Sequence, residues 1–358
     1  MKYSYIFFLS FLSFAMLTVA SASPLTYPSN TDSLIKMSDD ELAEVEGQAL
    51  FNLNKVDDSN QKLSFFRLGM EAEVALNANI KKLQLGCGGS KGAGCDIDID
   101  NIALTGITTS TAQGAGVTTD FILNNPFIEF AISNANSAST RSIEGFRLGA
   151  LSALGMLSLG ANEDTSDLAD DTGINSLSGD IGVRVTNANI RGINVTLIGT
   201  ANAKVADYST VLTVDRSPKF SLNGLKAAAR LSLGGFIPMP IDLQLDVNMK
   251  DIPFNTVHRL QVSDINGNPT SGAYLALQQK DIKWQNIATG QWNSIEAKKG
   301  WWLSIPDTQF ANLNMDGSGV RLSALEAIGG VLGATVDIPK MDLGQKPVSN
   351  CYGNLKFC

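Results

Sequence analysis

The chain has 358 residues and a formal net charge of −8, set by 27 Lys and Arg against 35 Asp and Glu. That acidic balance argues against a nucleic-acid partner and against anionic membrane surfaces. Charged residues make up only 17 % of the chain while 33 residues are Gly, a mixture that fits neither an acidic disordered chain nor a helical bundle and points to many strands and turns.

Residues 1–22 read as a secretory signal peptide. Lys2 supplies the positive start, Ile6 to Ala20 is almost wholly apolar, and Ala20-Ser21-Ala22 is a small-residue cleavage site. The apolar run is short for a bilayer span, so export through the Sec pathway is expected, with no transmembrane anchor in the mature chain. Residues 23–36 form a polar spacer. Residues 37–51 predict a short capped helix: Ser38 and Glu41 make a capping box, and Gly47 supplies the stop. Two turns are too few to stand alone in water, so this helix needs a surface to dock on.

From residue 52 to 358 the pattern is that of a β-rich body. Met70, Ala72, Val74, Leu76, Ala78 and Ile80 alternate with more polar neighbours, as in a half-buried strand. The phase slips at Lys81-Lys82, which reads as a β-bulge. Ile181 to Val185, Ile193 to Leu197 and Ile241 to Met249 alternate in the same way, and Ile97 and Ile99 do so among Asp96, Asp98 and Asp100. Leu148 to Leu159 reads as a strand pair, and short helices are expected around Leu225–Leu231 and within Ser323–Gly329. Fragments recur without a fixed period: Asn77–Leu85 matches Asn187–Val195, Phe66-Arg-Leu-Gly69 matches Phe146-Arg-Leu-Gly149, and Asn312–Met315 echoes the first pair. The expected fold is all-β, a large antiparallel sandwich or elongated sheet stack behind the short N-terminal helix, with a candidate sub-domain boundary near 215–235.

Four cysteines lie in two close pairs, Cys87 with Cys95 and Cys351 with Cys358. In an oxidising compartment they read as two local disulfides, although other pairings stay open; each local bridge would contribute on the order of 2–3 kcal/mol. Their spacings are not those of zinc sites, and no metal or cofactor is expected. His258 is the single histidine, no G-x-S-x-G elbow accompanies it, and no enzymatic activity is expected. Asp164, Asp167, Asp170 and Asp171 have the chemistry for Ca2+, with a solvated loop the better reading. Asp264 to Asn268 opens like an EF-hand loop, but Leu275 stands at the twelfth position, so Asn266-Gly267 reads as a hairpin turn. Trp284, Trp292, Trp301 and Trp302 fall within nineteen residues. A buried cluster is the favoured reading, and a ligand platform, for a sugar above all, is the alternative.

The acidic segment Asp39 to Gln48, Asn125-Pro-Phe-Ile-Glu-Phe130 and the Arg141–Gly149 segment, together with the leader, resemble a group of exported Gram-negative bacterial proteins, the FilA-type pilus assembly proteins. The resemblance implies an exported structural subunit or accessory protein of a pilus-like surface fibre, supporting adhesion or biofilm. It implies passage through the periplasm to the cell surface or an extracellular fibre. Its partners would be other fibre subunits and the export or assembly machinery. The resemblance brings no catalytic residues. A monomeric secreted carbohydrate-binding module using the Trp cluster is the alternative.

Overall fold

A computed structural model describes residues 50–89, 91–107, 119–160, 173–196, 199–233, 241–323, 325–326 and 333–345. The expected signal peptide, spacer and helix up to residue 49, the Asp164–Asp171 run, Cys351 and Cys358 lie outside these; of the expected helix over 37–51, Leu50 is a turn and Phe51 opens a strand. The strands in chain order begin with β1 (Phe51–Asp58), β2 (Leu63–Met70), β3 (Glu73–Leu76), β4 (Ala78–Leu85), β5 (Ile97–Thr105), β6 (Phe121–Ser133) and β7 (Ser142–Ser158). There follow β8 (Ile174–Thr186), β9 (Ala188–Val195), β10 (Gly199–Val205), β11 (Tyr208–Ser217), β12 (Lys219–Leu233) and β13 (Ile241–Pro253). The last are β14 (Arg259–Val262), β15 (Thr270–Ser271), β16 (Tyr274–Gln278), β17 (Gly300–Ala311), β18 (Asn314–Asp316), β19 (Arg321–Leu322) and β20 (Thr335–Pro339). The chain is all-β, as its period-2 alternation predicts.

These strands form two sheets. The first has 13 strands along the path β1-β2-β6-β7-β14-β17-β8-β5-β4, with β3, β11, β15 and β16 paired off it. This sheet curls back on itself, because β5 pairs with both β8 and β7. The second has 7 strands along β18-β9-β10-β12-β13-β20, with β19 also on β9. Pairing is mainly antiparallel; β8–β17, β9–β18, β9–β19 and β13–β20 are parallel. The two sheets share one apolar layer. Ile181, Val183 and Val185 of β8 belong to the same buried cluster as Ile190, Ala227, Leu245, Val247 and Ile338 of the second sheet. Burial of such side chains is the main favourable term in the fold, roughly 25 cal/mol per Å² of apolar surface. The parallel approach of β8 to β17 leaves no room for a side chain at Gly182, where a Cβ would collide with the Pro306 carbonyl oxygen.

Several local expectations are corrected. Leu148 to Ser158 lies in one strand, β7, rather than a pair, and Leu225 to Leu231 is strand within β12, not helix. In both places long-range pairing overrides an apolar spacing that also suits a helix. Lys81-Lys82 holds no inserted residue: β4 runs against β5 from Ala78↔Leu104 to Leu85↔Ile97 without a register shift. Asn101, at φ 45°, turns the partner strand there instead. Asn266-Gly267 is a turn, with Asp264 accepting from the backbone of Asn266 and Asn268. It joins β14 and β15, which lie end to end on β7 rather than as a hairpin. The stretch 215–233 of the candidate boundary near 215–235 spans the end of β11 and all of β12, which leaves the sub-domain division itself an expectation. Ser323 and Glu326 do exchange the reciprocal bonds of a helix capping box.

The recurrent fragments acquire spatial meaning. Asn312–Met315 lies beside the fragment it echoes: Asn314 and Met315 pair in parallel with Asn189 and Ile190, and Asn187 Nδ2 donates to Asn312 Oδ1 at 2.6 Å. The two Phe-Arg-Leu-Gly copies flank β6, one on β2 and one on β7.

Candidate functional site

β6 brings the segments of the resemblance together. Phe66, Arg67 and Leu68 of β2 face Phe130, Glu129 and Ile128 of β6, which face Phe146, Arg147 and Leu148 of β7. Side chains alternate between the two faces of a sheet, so two faces of opposite character result.

One face is apolar, open across β1, β2, β6 and β7 and packed against the main core at Leu275, Trp301 and Leu303. Direct cross-strand partners give the aliphatic row Leu53, Leu68, Ile128, Leu148, Leu275, Leu303. With strands about 4.8 Å apart, this row is about 24 Å long. The row beside it runs Phe66, Phe130, Phe146, Leu277, Trp301. Phe146 meets Trp301 edge-to-face at 6.0 Å, and Lys55 Nζ lies 5.7 Å from the Phe66 ring centroid. Leu53 is 78 % exposed, Leu68 47 %, Leu148 43 % and Ile128 41 %. Single exposed apolar residues are ordinary, but a contiguous row marks an interaction surface. The face descends into a cavity of about 610 Å³ between β2–β4 and β5–β7, with Leu303 and Ile305 of β17 at its far side.

The opposite face is buried and carries the charges. The Arg147 guanidinium is 1 % exposed; its Nε donates to Glu129 Oε2 at 2.6 Å and its Nη2 to the Gln285 carbonyl at 2.7 Å. Three rings surround it, Phe127 at 5.2 Å, Tyr274 at 5.2 Å and Trp284 at 4.9 Å. Burial pulls Arg147 below its usual pKa, and the Glu129 charge opposes that pull. Residues 279–299 cover this face, tied down by paired bonds between the Gln61 side chain and the Lys283 backbone.

The four tryptophans belong to this covered layer or its border. Trp284 and Trp302 have no exposed surface, and Trp292 packs against the same cluster, which includes Phe65 and Ile282. Trp301, adjacent to Trp302 in sequence, points to the other side and ends the aromatic row of the open face. Trp302 Nε1 donates to Asp180 Oδ1 at 2.6 Å and Ser304 Oγ to Asp180 Oδ2 at 2.8 Å. Burial pushes the Asp180 carboxyl above its ordinary pKa, against these two donors. A raised native pKa means that the folded chain holds this proton more tightly than the unfolded one. Its contribution to stability is therefore full below about pH 4 and lost as pH rises through the native value. Asp180→Asn removes that loss. Thermal melts should show the variant gaining on the wild type as pH rises from about 4; a gap that widens against the variant over that rise would contradict the assignment.

Cys87 and Cys95 are joined at bonding distance. Arg216 clasps the loop they close: its Nε donates to Asp96 Oδ1 at 2.7 Å and its Nη atoms to the carbonyls of Gly86, Gly92 and Ala93. This clasp is 120 residues or more away in sequence, and nothing in the local pattern signals it. His258 is buried with Nδ1 3.0 Å from the Leu159 carbonyl oxygen. Among the described residues no group of three or more His, Cys, Asp or Glu side chains could hold a metal ion, and no helix is long and apolar enough to cross a membrane.

Comparison with known protein families, with characterised proteins and with solved structures gives no match to this chain. The chemistry of the site therefore rests on its own residues: an apolar face, a cavity beneath it, and a sheet edge at β1 that no other described strand pairs.

Proposed function

We propose that this chain is an exported structural subunit or accessory protein of a bacterial pilus-like surface fibre, supporting adhesion or biofilm formation. The observation that carries the reading is the edge strand β1. It has eight residues, pairs with β2 along one side, and is the terminal strand of the first sheet's path. Five of its residues in a row, Phe51 to Lys55, are exposed. Among the described residues no strand pairs its other side, so this edge offers backbone groups and apolar side chains to another strand, the arrangement proteins usually block. Lys55 and Asp57, which pair at 3.0 Å, are its only charges before Asp58. A contact from β1 to a different surface of the next copy is heterologous, and with a rotation that does not close into a ring it builds a filament rather than a dimer. The leader-like N-terminus and the resemblance of the 125–130 and 141–149 segments support the same reading. The partners are further copies or other subunits, delivered by the export machinery.

The test is sedimentation of the purified chain over a range of concentrations. Wild type is expected to form an open-ended series of oligomers. Leu53→Lys combined with Asn54→Lys adds two charges to exposed edge positions and is expected to hold the chain as a monomer with an unchanged far-UV spectrum. Oligomers of equal size in the variant would remove β1 as the joining surface.

A further inference from the structure

The cavity beneath the open face is a separate feature, and we propose that it binds a fatty acyl chain. Its volume of about 610 Å³ lies in the range of small-molecule sites, about 300–1,000 Å³. Among the described residues its lining contains no charged side chain, and Tyr274 and Ser304 carry the only hydroxyls. Of these, Ser304 Oγ is committed to Asp180. Apolar side chains of β4–β7, such as Ile80, Leu104, Phe121 and Leu157, make the walls, and Leu68, Ile128 and Leu148 stand half-exposed at the mouth.

These walls select an occupant by what they lack. Among the described residues its walls are side chains of paired strands, and free backbone edges border it only at β1, β3 and β4, which each pair on one side. An extended peptide crossing the interior away from those edges would leave its own N–H and C=O groups unpaired, at considerable cost. A sugar would lose its hydroxyl partners in the same way. A hydrocarbon chain loses nothing, and each methylene it buries adds an equal favourable increment. A polar head, to which the walls offer only the Tyr274 hydroxyl, would remain at the mouth, on the side where the apolar rows meet solvent. A free fatty acid and a phospholipid tail satisfy this chemistry equally. The inference does not rest on the fibre reading, which is tested at Leu53 and Asn54.

The experiment titrates the full chain with cis-parinaric acid, a fluorescent polyene fatty acid, and displaces it with saturated fatty acids of increasing length. Saturable binding near one per chain is expected, with displacement strengthening roughly threefold to fourfold per added methylene until the cavity is filled. Leu148→Glu puts a carboxylate at the mouth at a position already 43 % exposed, and should weaken binding at least tenfold without unfolding the chain. Ala153→Phe fills the interior and should do the same; if it fails to fold, Leu148→Glu decides. Ile143→Ser, on the same strand but outside the cavity, is expected to bind as wild type does. Extraction of the purified chain followed by mass spectrometry then separates free fatty acid from phospholipid as the source. Absence of saturable binding overturns the proposal. So does equal weakening by Leu148→Glu and Ile143→Ser, which would mean adsorption to any exposed apolar side chain.

Discussion

Arg147→Ala is expected to lower the stability of the chain by about 3–5 kcal/mol, because it strands the Glu129 carboxylate in a layer that water does not reach. Glu129 is 2 % exposed and Arg147 1 %. The guanidinium also holds the covering segment through the Gln285 carbonyl and fills the space between Phe127, Tyr274 and Trp284. The loss is thus an unpaired charge and a cavity together. Replacing both partners, Arg147→Met with Glu129→Leu, should recover most of it, since a buried ion pair and an apolar pair of similar volume are often nearly equivalent. Urea denaturation followed by tryptophan fluorescence gives both numbers. Equal loss in the single and double variants would show that the pair positions the segment at 279–299 through bonds that apolar side chains do not replace.

Trp302→Ala should cost a similar amount, about 3–5 kcal/mol. The indole is wholly buried among Tyr274, Ala276 and Ile282. Its removal leaves a void and takes away one of the two side-chain donors to Asp180. Trp302→Phe keeps most of the apolar contact and loses only the donor, so it should fall between wild type and Trp302→Ala. If Trp302→Phe is as damaging as Trp302→Ala, the hydrogen bond to Asp180 outweighs the ring's contacts, contrary to the reading given for this layer.

These two sites show how much of the molecule is legible in its sequence. Alternation identifies strands well: Ile181, Val183 and Val185 are all buried, as are Leu245, Val247 and Met249. Alternation cannot say which face is inside. On β6 and β7 the usual assignment is inverted, with Glu129 and Arg147 buried while Ile128 and Leu148 are exposed. Nothing local distinguishes that case, because what decides it is the segment at 279–299, more than a hundred residues away. The two Phe-Arg-Leu-Gly copies were the available signal: an identical charged residue between apolar ones, twice, asks for a shared acidic partner, and Glu129 lies between them. The tryptophan spacing pointed to a cluster, and Trp301 beside Trp302 had to split across two faces. The Arg216 clasp, the parallel pairings and the curl of the first sheet depend on contacts between distant segments and leave no short-range trace.

The apolar face and the β1 edge are what a fibre subunit would need, and the most direct measurement is negative-stain electron microscopy of material sheared from cells that export this chain, labelled with an antibody to residues 50–345. Label at regular intervals along thin filaments is the predicted result. Filaments without label, or label only on separate particles of uniform size, would contradict it.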